Sequence, residues 1–93
     1  MIKKISLKNE VDINGQKVNE LNLNFDNLTG NDLLVAEETA RTLGDKTPAI
    51  CYSMRYQAII GAKAANVAID DIQMLKGNDY LSVIAEVNNF LFG

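Results

Sequence analysis

The fold is decided by the stretch from Thr47 to Asn66, which reads TPAICYSMRYQAIIGAKAAN. Thr47 can cap the free amide groups of a helix. Pro48 suits the first helical position, because its missing N–H would have no partner there. The pattern therefore predicts a helix over 48–66 that begins just after Thr47.

This predicted helix is apolar on two sides. The first stripe consists mostly of small residues: Ile50, Cys51, Met54, Ala58, Gly61, Ala62 and Ala65. The second stripe is bulkier and consists of Tyr52, Tyr56, Ile59 and Ile60. A surface helix needs one apolar face, so a helix with two is either the centre of a small core or binds a partner on one side. We expect the small-residue stripe to pack inward and the second stripe to meet a partner.

Residues 2–25 have the pattern of a β-hairpin. Apolar residues alternate with polar ones on both predicted strands: Ile5, Leu7, Val11 and Ile13, then Val18, Leu21, Leu23 and Phe25. Between the strands, Asn14-Gly15 favours a two-residue turn with positive φ at both positions. A tight turn at this point places Val11 opposite Val18.

Farther from the turn, the same register would place polar residues opposite Leu7 and Ile5, which would break the buried face. One extra residue in the second strand, around Asn19-Glu20, restores the pattern. Leu7 then lies opposite Leu23, and Ile5 lies opposite Phe25. We therefore predict a β-bulge in the second strand, because a one-residue slip moves every later side chain to the other face.

Three further helices are predicted over 32–43, 70–76 and 79–92. Asn31 or Asp32 can cap the first, and Gly44 can end it. Asp70-Asp71 can cap the second. The predicted fold is α+β, an N-terminal β-hairpin followed by a bundle of three to four helices, in a single domain over residues 1–93.

Composition excludes several classes of protein. The 93 residues are 47% hydrophobic and 23% charged, which is typical of a globular protein, and the net charge is −3. Nucleic acid is an unexpected partner, because phosphate binding uses clustered basic residues and the only local excess is Lys3, Lys4 and Lys8. No apolar run reaches the roughly 18 residues of a membrane span, and the N-terminus lacks the apolar core of a signal peptide. We expect no membrane association and a cytoplasmic location.

Few residues offer catalytic or metal-binding chemistry. The chain has no histidine and one cysteine, Cys51, which excludes an internal disulfide and a zinc site of thiolates and imidazoles. The glycines are scattered and form no phosphate-binding loop. Asp70-Asp71 is better explained as a helix cap than as a metal site, and Glu37-Glu38 as a solvated helix face. We expect no enzymatic activity and no cofactor.

Apolar side chains are the remaining candidates for function. The final helix carries Phe90 and Phe92 beside the face that a small core requires. Contiguous exposed apolar patches usually mark protein–protein contacts. The candidate partner-binding residues are Tyr52, Tyr56, Ile59, Ile60, Phe90 and Phe92. The alternative is a monomer whose core buries all of them.

The layout resembles a family of bacteriophage tail assembly chaperones, small proteins of long-tailed phages. The segments that carry the resemblance are VDINGQKV at 11–18, ELNL at 20–23, LTGNDL at 28–33, and Asp79-Tyr80 followed by Val87 and Phe90-Leu91. Together they span nearly the whole chain. The central helix is more aromatic than the family pattern, because of Tyr52 and Tyr56.

The resemblance implies a non-enzymatic role in virion assembly. Such proteins coat the long, largely helical tape measure protein, keep it soluble and help to recruit tail tube subunits. The implied location is the bacterial host cytoplasm, and the finished virion lacks the protein. A helical client would place its apolar side chains at positions i, i+3, i+4 and i+7 against an apolar surface of its partner.

A different class of function stays open beside this one. A small dimeric adaptor, or an antitoxin-like regulatory protein, would use the same helices for self-association. DNA regulation would favour a basic stripe, which the sequence lacks. The coding DNA separates the two classes, because tail chaperone genes commonly carry a slippery run near the 3′ end and precede a very long reading frame.

Overall fold

The chain begins with an antiparallel β-hairpin, and the computed structural model describes residues 2–93. Strand β1 spans Ile2–Ile13 and strand β2 spans Gln16–Asn24. The turn between them has φ of 54° at Asn14 and 79° at Gly15, as the sequence predicts. Val11 lies opposite Val18, which is also confirmed.

The register shift of the hairpin lies where the sequence predicts it, but the extra residues are in the other strand. Ser6 pairs with Glu20 and Val11 pairs with Val18, so the segment 7–10 of β1 stands opposite Asn19 alone. The predicted bulge in β2 is therefore wrong. Its two predicted pairs are wrong as well, because Ile5 lies opposite Leu21 and Leu23 lies opposite Lys3.

A carboxylate from a distant helix explains why β1 can carry the irregularity. The backbone N–H of Lys8 donates to Oδ1 of Asp79 at 2.9 Å, and that of Asn9 donates to Oδ2 at 3.1 Å. A bulge removes strand amides from the ladder, and these amides need another acceptor. Asp79 supplies it, 70 or more residues away along the chain.

Four α-helices follow the hairpin, which confirms the α+β class. They are α1 (Gly30–Thr42), α2 (Met54–Ala65), α3 (Ile69–Gln73) and α4 (Gly77–Phe92). Two 3₁₀ turns, Phe25–Asn27 and Ile50–Tyr52, precede α1 and α2. Within residues 2–93, no helix combines the length and the apolar character needed to cross a lipid bilayer.

Helix α1 begins earlier than predicted, because Thr29 is its cap. The Thr29 hydroxyl accepts from the Asp32 backbone at 3.2 Å, and the Asp32 carboxylate accepts from the Thr29 backbone at 2.8 Å. This reciprocal arrangement satisfies two free amides of the first turn. Gly44, with φ of 100°, follows the end of the helix as predicted.

Helix α2 begins later than predicted. Ser53, not Thr47, is its cap, and the Ser53 hydroxyl accepts from the Tyr56 backbone. The Thr47 backbone is used elsewhere, because its N–H donates to Asp45 at 2.9 Å and its carbonyl accepts from Arg41 at 2.9 Å. These bonds hold the segment before α2 as a loop.

Helix α2 lies at the centre of the core, packed against α1, α3, α4 and β2. Small residues allow its close approach to α4, as the sequence predicts. A Cβ at Gly61 would lie 2.8 Å from Cγ1 of Val83 and 3.4 Å from Cγ2 of Val87. Met54, which the prediction placed in the buried stripe, is exposed instead.

Candidate protein-binding surface

The six predicted partner-binding residues separate into a buried group and an exposed group. Tyr56, Ile59 and Ile60 lie in the core, so the prediction that they form a surface is wrong for this structure. The reason is that α1, α3, α4 and β2 pack around α2 at these positions. Tyr52, Phe90 and Phe92 are 70%, 39% and 49% exposed, and for these three a partner-binding role stays a prediction.

Tyr52 and Phe92 form an aromatic stack on the outside of the protein. Their ring centroids are 5.2 Å apart and the rings are inclined by 9°. Tyr52 lies in the 3₁₀ turn before α2, while Phe92 is the last residue of α4. Aromatic rings are costly to expose and are enriched at protein interfaces. We call this pair the outer stack.

A pair of side-chain amides holds the elements that carry the outer stack. Nδ2 of Asn88 donates to Oε1 of Gln57 at 3.1 Å, which links α4 to α2. Nε2 of Gln57 donates to the carbonyl of Cys51 at 2.8 Å, which fixes the 3₁₀ turn. Gln57 is buried, so these bonds are shielded from competing water. Buried hydrogen bonds therefore hold the turn that carries Tyr52 against α2 and α4.

Asp45 holds the other end of the same loop. Its carboxylate accepts from the Ser53 hydroxyl and from the Thr47 backbone. The Ser53 hydrogen bond, followed by those from Thr47, lowers the pKa of Asp45 to about 2. The ionised carboxylate thus ties the start of α2 to the end of α1 at neutral pH.

An open groove lies on the opposite side of the C-terminal end of α4. It has a volume of about 460 Å³ and is lined by Lys3, Phe25, Asp26, Glu86, Asn89, Phe90 and Gly93. Phe25 and Phe90 are stacked in its wall, with ring centroids 4.8 Å apart and an interplanar angle of 13°. We call this site the Phe90 groove.

Glu86 is the unusual residue of the Phe90 groove. Its Oε1 is shielded from solvent and has no hydrogen-bond donor among the described residues. Native proteins pair most shielded polar atoms, so each exception calls for an explanation. The sequence offered a weak signal for this site, since residues 86 and 90 share one face of a helix.

Residues 2–93 contain no cluster of three or more acidic, cysteine or histidine side chains placed to hold a metal ion. Cys51 is a free, half-buried thiol. No protein-family model matches the chain, and neither a search of curated proteins nor one of solved structures gave a significant match. Arguments about function therefore depend on the chain's own residues.

Proposed function

We propose that the chain is a non-enzymatic phage tail assembly chaperone that binds the tape measure protein and promotes assembly of the tail tube. The observation that supports this most directly is the outer stack of Tyr52 and Phe92, which exposes two large rings beside a hydrogen-bonded turn. A client with apolar stripes would cover such rings and gain the free energy of burying them.

The surface suits a client that is helical. Phe90 and Phe92 place aromatic rings on two sides of the last turn of α4, and Leu81 exposes a further apolar side chain on the same helix. An amphipathic helix buries one apolar stripe in a partner surface of this kind. The tape measure protein, long and largely helical by the resemblance, has that chemistry.

The charge of the chain fits the same role. A net charge of −3 helps a small protein with exposed rings to stay soluble before it meets its client. It also disfavours binding to nucleic acid in the host cytoplasm. In this proposal tail tube subunits are recruited after the client is bound, and the chaperone leaves before the virion is complete.

Co-purification tests the proposal. The chain is expressed with the product of the long reading frame expected directly downstream of its coding sequence. A Tyr52→Ser, Phe92→Ser double variant should lose the client. A matched Leu34→Ser, Met74→Ser variant, which also removes two exposed apolar side chains, should retain it. Retention by the Tyr52, Phe92 variant would contradict the proposed surface, and no client binding by the unaltered chain would contradict the function.

The dimeric adaptor is the second candidate, and the outer stack is the feature that favours it, because two copies could bury their stacks against each other. Light scattering after size-exclusion chromatography separates the two functions. A dimer that the Tyr52→Ser, Phe92→Ser variant converts to monomer, without any client, would favour the adaptor. A monomer that gains mass only with the client supports the chaperone.

A further inference from the structure

We propose that the Phe90 groove receives an arginine side chain of the partner helix, with its guanidinium against the aromatic wall and hydrogen-bonded to Glu86. This inference rests on the proposed function, because it takes the partner to be a helix. It adds a requirement for one basic residue beside the apolar stripe of that helix.

The carboxylate of Glu86 supplies the first reason. Its Oε1 is shielded from water without a donor, although a carboxylate oxygen accepts strongly. Among residues 2–93, no lysine or arginine lies within ion-pair distance of this carboxylate. Because Oε1 is closed to solvent, a partner's donor would reach the other oxygen, Oε2, and its positive charge would compensate a carboxylate that the folded chain leaves without a cation.

The aromatic wall supplies the second reason. Phe25 is buried, whereas Phe90 is partly exposed and presents its ring to the groove. A planar guanidinium stacks on aromatic rings and donates in a fixed fork to carboxylates, while an ammonium group is a compact, strongly hydrated charge. An acid beside an aromatic wall therefore selects arginine over lysine.

The dimensions of the groove are compatible with one side chain. A volume of about 460 Å³ accommodates a long, flexible residue but not a folded element. One face of α4 lines it with Glu86, Asn89 and Phe90, and Gly93 follows directly after the helix. A partner helix bound at this end of α4 would present its arginine to the groove, which lies on the other side of the last turn from the outer stack.

A peptide titration tests the inference with the full chain. The probe is a designed alanine-based helix with a leucine stripe and one arginine, and matched probes carry lysine or glutamine at that position. Backbone amide shifts of the ¹⁵N-labelled chain report where each probe binds. We expect arginine-dependent shifts at residues 86–93 and binding about tenfold weaker for the glutamine probe, as for loss of one charge-assisted hydrogen bond.

Variants of the chain identify the contact. Glu86→Gln should weaken binding of the arginine probe by about tenfold. Glu38→Gln, which removes the same charge from an exposed position on α1, should leave binding unchanged. Lys3→Gln should tighten binding, because it removes a competing cation from the groove wall. Equal binding by Glu86→Gln, or weaker binding by Lys3→Gln, would overturn the proposal.

The two proposals fail in different ways. If the natural client binds equally well to the unaltered chain and to Glu86→Gln, the arginine site is wrong and the chaperone function stands. If the arginine probe binds at residues 86–93 and depends on Glu86 but the natural client does not bind, the proposed function is wrong and the site stands. If the probe shows no arginine-dependent shift in the groove, the inference is overturned.

Discussion

The two halves of helix α4 each carry an acid with shielded oxygen atoms, and the two acids have opposite surroundings. At the N-terminal end, Asp79 is only 2% exposed and its two oxygens each accept a backbone N–H from the irregular part of β1. At the C-terminal end, Glu86 has a shielded oxygen without a donor, beside Phe90 in an open groove.

The difference separates a structural role from a binding role. A carboxylate whose hydrogen bonds are complete joins two elements of the fold and needs nothing from outside. A carboxylate with one shielded, unpaired oxygen costs free energy in the isolated chain, and a partner's cation beside its other oxygen can offset that cost. The N-terminal end of α4 therefore belongs to the scaffold, and the C-terminal end is the better candidate for an interface.

Asp79→Ala should give the largest loss of stability. It removes the acceptor of both Lys8 and Asn9, whose amides would be left unpaired in the irregular part of β1. Urea denaturation followed by circular dichroism measures the loss, and hydrogen exchange should accelerate first at these two amides. Asp79→Asn keeps one acceptor and should lose less. A variant as stable as the original chain would contradict the scaffold role.

Gly61→Val should give the next largest loss. Even a Cβ at this position would lie 2.8 Å from Cγ1 of Val83, so the larger side chain must push α2 away from α4. Overpacking of this kind costs about 1–3 kcal/mol. Gly77→Ala is the control, because a Cβ there meets open space. The melting temperature of Gly61→Val should fall, and that of Gly77→Ala should stay the same or rise.

Acid should destabilise the chain below about pH 4. The hydrogen bonds from Ser53 and Thr47 lower the pKa of Asp45 to about 2, and the Lys8 amide, followed by that of Asn9, lowers the pKa of Asp79 against the effect of burial. A depressed pKa stabilises the fold above the unfolded-state pKa, near 4, and this contribution is lost as the pH falls toward 2.

The Asp45→Asn variant tests how much Asp45 contributes to the loss of stability in acid. This variant should have a smaller loss of stability between pH 4 and pH 2 than the original chain, because one titrating group is gone. Urea midpoints across that range measure the slope. An unchanged slope would show that the Ser53 and Thr47 bonds contribute nothing to acid sensitivity.

Glu86→Gln should give the smallest effect, without the loss of stability that Asp79→Ala causes. Removing the charge of a carboxylate with one shielded, unpaired oxygen should leave stability unchanged or raise it by up to about 1 kcal/mol. A thermal melt measures it, with Glu38→Gln as the control at an exposed position. A clear loss of stability would show that Glu86 is a scaffold residue like Asp79, and the comparison between the two ends of α4 would fail.

Local signals predict much of this fold. Asn14-Gly15 forms the turn, Gly44 follows the end of α1, and Gly61 faces α4 as its small size suggests. The predicted start of α2 is wrong, because Thr47 and Ser53 are both acceptable caps and the sequence does not separate them. Contacts with Asp45 and Arg41 decide between them, and these contacts exist only after folding.

The candidate surface was predictable in part for a similar reason. Tyr52 and Tyr56 are four residues apart and would share a face of one continuous helix. The helix begins after Tyr52, so the first ring is in water and the second is in the core. The groove beside Phe90 was not predicted, since Phe25 and Glu86 meet only through the packing of α4 on the hairpin.

Residue types and their spacing determine the class of the fold, because turns, caps and apolar periods act over a few residues. Composition alone excludes histidine chemistry. Tertiary structure decides which strand carries the irregular segment and which aromatic rings face water. Both depend on long-range partners. Asp79 satisfies the freed amides of β1, and the neighbours of α2 enclose Tyr56 while the ring of Tyr52, before the helix, stays exposed.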